Sequence, residues 1–294
     1  MRYAPKQLVL PPGLPDGYIA LLPNRGEVFY RYHRGDPTLP TLLLLHGWTA
    51  SADLQWFTAY QQLGERYSFI AVDHRGHGRG LRTDVAFRLE DVADDAAALV
   101  EQLGVGPVVT VGYSMGGPLS LLMARRHPHL VAGLVLEATS LEWRANWWDR
   151  MTWRGLFLME MFLRSRVSRW LGHVAVRRLA DFNPDIEPYL GWIQAEARRG
   201  DPAALIDAGR ALARYDARTF ATAIHRPSAV VITTHDHGVS PAKQRALAEA
   251  IEAERFELDG DHFGFWSHSK EFSEVTRRAV DDVVKRLAVA PDRK

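Results

Sequence analysis

The run Val108-Val109-Thr110-Val111-Gly112-Tyr113-Ser114-Met115-Gly116-Gly117 decides how this chain folds, because it joins an apolar stretch to a helical one through a serine held between glycines. Val108 to Val111 reads as a buried strand, and Leu119 to Arg126 reads as a helix that ends before Pro128. A strand-to-helix turn this short crowds the backbone on both sides of the serine. Gly112 and Gly116 stand where a Cβ would collide with the neighbouring strand and helix, so the turn requires glycine there. The hydroxyl of Ser114 is then pushed out at the top of a sheet. Glycine and serine are common in loops, and it is the strand before and the helix after that give the pattern its weight.

A serine hydroxyl is a weak nucleophile at its own pKa. It needs a base, a group that orients the base, and donors for an oxyanion. Ala229 to Thr233 is a second buried strand, and Asp236 lies in the loop just past its end. Arg255 to Leu258 alternates as a short strand and runs into Asp259-Gly260-Asp261-His262-Phe263, so His262 also follows a strand end. Upstream, the strand Leu42 to Leu45 ends in His46-Gly47-Trp48-Thr49, and the strand Phe69 to Val72 ends in Asp73-His74-Arg75-Gly76-His77-Gly78.

By these motifs the chain resembles the α/β-hydrolases, in the branch whose oxyanion motif is His-Gly-X. The motifs fall in family order from about Leu42 to the C-terminus, and the chain order Ser114, Asp236, His262 is the one this family uses. The resemblance implies an α/β fold with a mostly parallel eight-stranded sheet flanked by helices and a helical cap inserted after strand 6. The core would be residues 1–139 and 226–294, and the cap residues 140–225. Ser114 would be the nucleophile, His262 the base, and Asp236 the acid that holds the histidine tautomer. The backbone N–H groups of Trp48 and Met115 would form the oxyanion hole, with Gly112 and Gly116 shaping the nucleophile turn. Some members place the acid after strand 6, where this chain has Glu137, so Asp236 and Glu137 both stand as candidates. The usual glycine before the catalytic histidine is Asp261 here, a carboxylate that could raise the histidine pKa. Trp48, Tyr113, Trp147, Trp148 and Phe263 are the candidate pocket residues.

His74 and His77, and again His235 and His237, have spacings that suggest a metal. The first pair belongs to the Asp-x-Arg-Gly-His-Gly loop, whose Asp73 and Arg75 are expected to fix the loop by hydrogen bonding and an ion pair. The second pair flanks the acid without a third ligand. No metal and no cofactor is expected. His46 is read as a structural histidine under the oxyanion loop.

Two N-terminal strands, Gln7 to Leu10 and Glu27 to His33, are expected as an antiparallel edge. Helices are expected at about Asp53 to Leu63, at Leu89 to Leu103 with Gly104 as its stop, and at Lys270 to Ala288. The β-α-β alternation ceases after Glu137, and from about Ser140 to His225 the pattern is helical throughout. That stretch holds six of the nine tryptophans, Trp143, Trp147, Trp148, Trp153, Trp170 and Trp192. Two readings of it stand: packing of a cap over an apolar pocket, or an interfacial lid with tryptophans and arginines set against lipid. Glu160 interrupts its apolar centre and argues against simple membrane insertion.

Lysine plus arginine number 36 against 35 acidic residues, so no charge excess points to nucleic acid. The absence of cysteine excludes disulfides and thiol chemistry. With no run approaching about 20 apolar residues and no signal-peptide core, a cytoplasmic protein is expected. The expected activity is that of a serine esterase acting on a small apolar ester. Thioesterase, lactonase, carbon–carbon hydrolase, haloperoxidase or perhydrolase and acyltransferase chemistry use the same triad. A ligand-binding receptor on a hydrolase shell is the alternative of another class.

Overall fold

The computed structural model describes residues 8–144 and 183–289. Eight strands form one sheet: β1 (Asp16–Leu22), β2 (Gly26–His33), β3 (Leu42–Leu45), β4 (Phe69–Val72), β5 (Val108–Tyr113), β6 (Val131–Glu137), β7 (Ser228–Thr233) and β8 (Glu254–Leu258). Their order is β1-β2-β4-β3-β5-β6-β7-β8. The β1–β2 and β2–β4 pairings are antiparallel and the other five parallel. The strands β3, β4, β5 and β7 are buried at every position and β6 at all but Ala132, as inner strands covered on both faces must be. The strands toward the two edges, β1, β2 and β8, carry the exposed positions, because they are not covered on both sides.

The described helices are α1 (Ala52–Trp56), α2 (Tyr60–Gly64), α3 (Leu89–Leu103), α4 (Gly116–Arg126), α5 (Leu190–Ala197), α6 (Pro202–Arg214), α7 (Pro241–Ala250), α8 (Gly264–Ser267) and α9 (Ser269–Val289). They cover the two faces. Residues of α3, α4 and α7 share one apolar cluster with Leu43 and Leu45, while α1, α2 and α9 share the other with Leu42 and Leu44. α3 ends where Gly104 turns left-handed at φ +64°, its N–H closing on Val100 and Glu101 carbonyls. α9 buries Phe272, Val275, Thr276, Ala279, Val280, Val283 and Val284, the spacing of a single helical stripe.

Two expectations need correction. Gln7 to Leu10 forms no strand over its described residues 8–10; Leu8, Val9 and Leu10 lie exposed, and Pro11-Pro12 follows, which cannot donate to a ladder. The edge strand starts after Pro15 instead. The helix expected from Asp53 to Leu63 is two short ones; Thr58 between them gives its carbonyl to the Ser273 hydroxyl at 2.8 Å and its own hydroxyl to the Phe265 carbonyl at 3.1 Å. The helix α7, between β7 and β8, was not anticipated.

Registry places the C-terminal ends of the inner strands level with one another. Leu45 sits opposite Gly112, Tyr113 opposite Glu137, and Thr233 opposite Leu258. The loops leaving β3, β5, β7 and β8 therefore emerge on one edge. β3 and β5 are also where the chain reverses its direction of travel across the sheet, the crevice in which open α/β sheets bind ligands. Between β6 and β7 the described residues are helical in α5 and α6, with Trp143 and Trp192 both buried. The Trp192 ring meets Phe57 edge-on at 5.3 Å. Trp147, Trp148, Trp153, Trp170 and Glu160 lie outside the described residues. Among the described residues no helix is long and apolar enough to cross a membrane.

A cheap test of the turn after β5 lies in its glycines. A Cβ on Gly112 would sit 2.3 Å from the Gly116 carbonyl oxygen, and one on Gly116 would sit 2.1 Å from that of Leu45. The obstacles are backbone, so nothing can swing aside. Gly116→Ala is expected to cost about 3 kcal/mol in urea unfolding; a cost under about 1 kcal/mol would mean that α4 does not press on β3 as described.

Candidate active site

Ser114 follows β5 with φ +51°, a left-handed conformation that costs an L-residue about 1–2 kcal/mol. Three hydrogen bonds hold it there. Its N–H donates to the Glu137 carbonyl at 2.8 Å, and its carbonyl accepts from Thr139 Oγ1 at 2.7 Å and from the Gly117 N–H at 3.0 Å. Strain held by the surrounding framework is a mark of functional positions.

The Ser114 hydroxyl lies 3.0 Å from His262 Nε2, and His262 Nδ1 lies 2.7 Å from Asp236 Oδ2. Asp236 is buried, and burial by itself would raise its pKa. Hydrogen bonds from His262, the Val239 N–H and the Thr233 hydroxyl outweigh that and hold the carboxyl below its ordinary value. Its second oxygen, Oδ1, accepts the N–H groups of Gly238 and Val239 at 2.7 and 2.8 Å, so the carboxylate cannot rotate freely. Gln244 from α7 links Thr233 to the Val239 carbonyl and completes the collar. Thr233 and Gln244 carried no sequence signal beyond their closeness to a strand end.

Glu137 makes no hydrogen bond to His262. Its carboxyl points to the α9 side of the sheet, fully buried, and neither oxygen has a hydrogen-bond partner among the described residues. Burial pushes its pKa up to about 8, offset only weakly by the nearby Thr276 hydroxyl, which does not complete a bond. The unfolded chain ionises this group near 4.5, the folded one near 8, so unfolding releases a proton between those values. Stability contributed by the neutral carboxyl is therefore lost as pH rises through that window. Glu137→Gln is expected to gain on the wild type from pH 5 to pH 8, by roughly 5 °C in Tm at the upper end. A Tm difference that stays constant with pH would contradict it.

Tyr113, read as pocket-lining, turns its ring into the buried aromatic layer with Trp56, Phe265 and Phe272. Its hydroxyl donates to the His262 carbonyl at 3.0 Å, so it supports the histidine loop from below. Phe263 is half-exposed and meets the His262 ring edge-on. Asp261 turns its carboxylate to the Phe263 N–H at 2.8 Å, a local cap rather than a partner for the imidazole. Trp147 and Trp148 lie outside the described residues.

Trp48 and Met115 bring their backbones to the crevice from β3 and β5. Met115 caps α4, whose first-turn N–H groups have no intrahelical acceptor. The Trp48 loop rests on Gln55, whose Oε1 accepts the Gly47 N–H, and on His46, whose Nδ1 lies 2.7 Å from the Gly47 carbonyl. His46 Nε2 in turn accepts the His74 N–H at 3.1 Å, and the rings of His46 and His74 stack at 3.9 Å. Burial lowers the pKa of His46 to about 4 and that of His77 to about 3, so these rings are neutral props. Asp73 and Arg75 do fix the loop, though not by pairing with each other. Asp73 accepts from the Ala52 and Arg79 N–H groups, and Arg75 forms a two-point bond to Asp95 of α3. A cluster of buried Asp53 with half-buried Arg31 and Arg79, which carried no sequence signal, braces the same loop and reaches Glu196 of α5. His235 pairs with Asp259 at 2.8 Å on the surface.

Comparison with known proteins fits this frame. The family model described as alpha/beta hydrolase fold matches residues 40–269, and the chain belongs to that family. The chain is 28% identical over 245 residues to the pimeloyl-[acyl-carrier protein] methyl ester esterase of Neisseria meningitidis, covering 82% of this chain and 93% of that one. It is 34% identical to the 2-(acetamidomethylene)succinate hydrolase of Mesorhizobium japonicum over 96 residues, which span only 34% of that protein. Its fold is shared with the enol-lactonase of Burkholderia xenovorans, with TM-score 0.76, 22% identity, 90% of this chain covered and 100% of that one.

Proposed function

We propose that this protein is a cofactor-independent serine hydrolase that cleaves a small carboxylic ester with an apolar acyl or alcohol part. The observation that carries the reading is the unbroken line from Ser114 Oγ through His262 to Asp236, with steps of 3.0 and 2.7 Å. In this reading His262 Nε2 takes the Ser114 proton as the oxygen attacks the ester carbonyl carbon. The tetrahedral oxyanion is met by the Met115 and Trp48 N–H groups. His262 returns the proton to the leaving alcohol, and water repeats the sequence on the acyl-enzyme. Asp236 keeps Nδ1 protonated throughout. Each oxyanion donor contributes about 3 kcal/mol to the transition state. The esterase of Neisseria meningitidis, aligned over 82% of this chain, supports ester over other acyl chemistry.

Residues 140–225 act as the cap in this reading, with 1–139 and 226–294 as the core. Trp147, Trp148 and Phe263 are its candidate pocket residues. Burial of Trp143 and Trp192 supports packing of the cap onto the core rather than a lipid-facing role for these two rings. The test is multiple-turnover hydrolysis of p-nitrophenyl esters from acetate to palmitate. Turnover is expected, with a chain-length optimum that sizes the pocket and no jump as substrate passes its solubility limit. No turnover at any length would overturn the reading, and a jump at the solubility limit would favour the interfacial lid.

A further inference from the structure

A backbone oxyanion donor is only as well placed as the loop that carries it, and the Trp48 loop is held from an unexpected side. The indole Nε1–H of Trp48 donates to the Leu205 carbonyl of α6 at 2.6 Å, across 157 positions of sequence. Four residues on, and so on the same face of α6, stands Gly209, where a Cβ would lie 2.6 Å from Cζ2 of that indole. Glycine inside a helix costs about 0.5–1 kcal/mol relative to alanine, so its presence here serves the ring that occupies the space. The residue after Trp48 in the same loop, Thr49, is held at φ +65°, a left-handed conformation that a β-branched residue keeps only where its surroundings impose it.

α6 itself is seated on the core. Asp201 caps its N-terminus by accepting from Ala203 and Ala204, and the Asp201 N–H donates to the Gly76 carbonyl at 2.9 Å. The Ala204 methyl fills the space a Cβ on Gly76 would need, 2.3 Å away. Arg82 adds a bond to the Arg199 carbonyl at 2.7 Å. The acceptor at Leu205 thus follows directly after an anchored helix start.

We propose that Trp48 is a positioning residue through which α6 sets the geometry of the oxyanion site. The proposal rests on the serine-hydrolase reading. Moving α6 would carry the indole with it and rotate the Gly47–Trp48 peptide, whose N–H is the donor. Through this bond α6 then controls the rate of acylation, since a misplacement of about 1 Å costs on the order of 100-fold.

The experiment compares wild type, Trp48→Phe, Gly209→Ala and the double variant, using p-nitrophenyl butyrate kinetics and the Kd of butylboronic acid. The boronic acid adds to the serine as a tetrahedral adduct with one oxygen in the oxyanion site. Trp48→Phe keeps a ring and loses the N–H; Gly209→Ala keeps the N–H and displaces the ring. Each is expected to lower kcat about 10-fold or more, weaken the boronate in parallel and change KM less than about threefold. The double variant is expected to match Trp48→Phe within about twofold, because the shorter ring no longer meets the new methyl. Unchanged kcat and boronate affinity, a change in KM alone, or multiplying effects in the double variant would overturn the coupling. Gly209→Ala decides the matter if Trp48→Phe fails to fold. A wild type that neither turns over the ester nor binds the boronate would instead overturn the hydrolase reading on which the proposal rests.

Discussion

Ser114→Ala is expected to lower kcat for p-nitrophenyl butyrate by about 10⁶-fold, to the level left by binding and the oxyanion donors alone. The size follows from the arrangement. His262 Nε2 has the Ser114 hydroxyl as its hydrogen-bond partner at the crevice, and in the proposed mechanism loss of that oxygen leaves the imidazole no nucleophile to activate. Stability should tell a second, independent story. The Ser114 side chain contributes one bond to the fold, while its backbone sits at φ +51° whether serine or alanine occupies it. Ser114→Ala should therefore melt within a degree or two of wild type. Ser114→Gly, free of the Cβ clash, should be more stable than Ser114→Ala by about 1 kcal/mol. Both variants should be equally inactive. If Ser114→Ala keeps more than a hundredth of wild-type kcat, the attacking group lies elsewhere. If the glycine variant is no more stable than the alanine variant, the left-handed turn is not the strained point described.

Much of this arrangement was legible in residues 108–117. An apolar strand, a serine at the turn and glycines on either side leave one economical geometry, and the contacts at Gly112 and Gly116 show why: the obstacles there are the backbones of α4 and β3. β3, β4 and α3 were also readable to the residue, because continuous apolar runs bounded by turns and a left-handed glycine stop are local signals. Apart from Pro11-Pro12, what escaped the sequence depends on pairing at a distance. Pro11-Pro12 kept Leu8 to Leu10 out of the sheet, although their composition favours a strand. Thr58, at the break between α1 and α2, is bonded to Phe265 and Ser273, more than 200 residues away. Tyr113 resembled a pocket aromatic because it neighbours Ser114, yet its ring is buried among Trp56, Phe265 and Phe272, with its hydroxyl under the His262 loop. The Arg79 cluster and the Trp48–Leu205 bond join segments whose proximity only the fold creates. One faint signal was available for the latter: a lone glycine, Gly209, inside an otherwise strong helical pattern.

Asp236→Asn is expected to lower kcat by about 10⁴-fold, while Glu137→Gln should leave it within about threefold of wild type. The geometry makes the first loss unavoidable for the isosteric amide. The oxygen at the Oδ1 position is fixed by two N–H donors, Gly238 and Val239, so an asparagine must place its carbonyl there and its NH₂ at the Oδ2 position. That NH₂ faces His262 Nδ1, where the carboxylate accepted at 2.7 Å. The imidazole must then accept at Nδ1 and carry its proton on Nε2, which leaves nothing to receive the Ser114 proton. Thr233 can rotate its hydroxyl to accommodate the change, so the fold should survive it. Glu137 supports Ser114 through its backbone carbonyl, which glutamine preserves, and its side chain makes no bond to the imidazole. The contrast between the two variants, measured as kcat with Tm in parallel, separates the candidate acids. A Glu137→Gln protein that keeps its fold and loses most of its kcat, beside an active Asp236→Asn, would move the acid to the end of β6 and make the His262–Asp236 bond a resting arrangement rather than the working one.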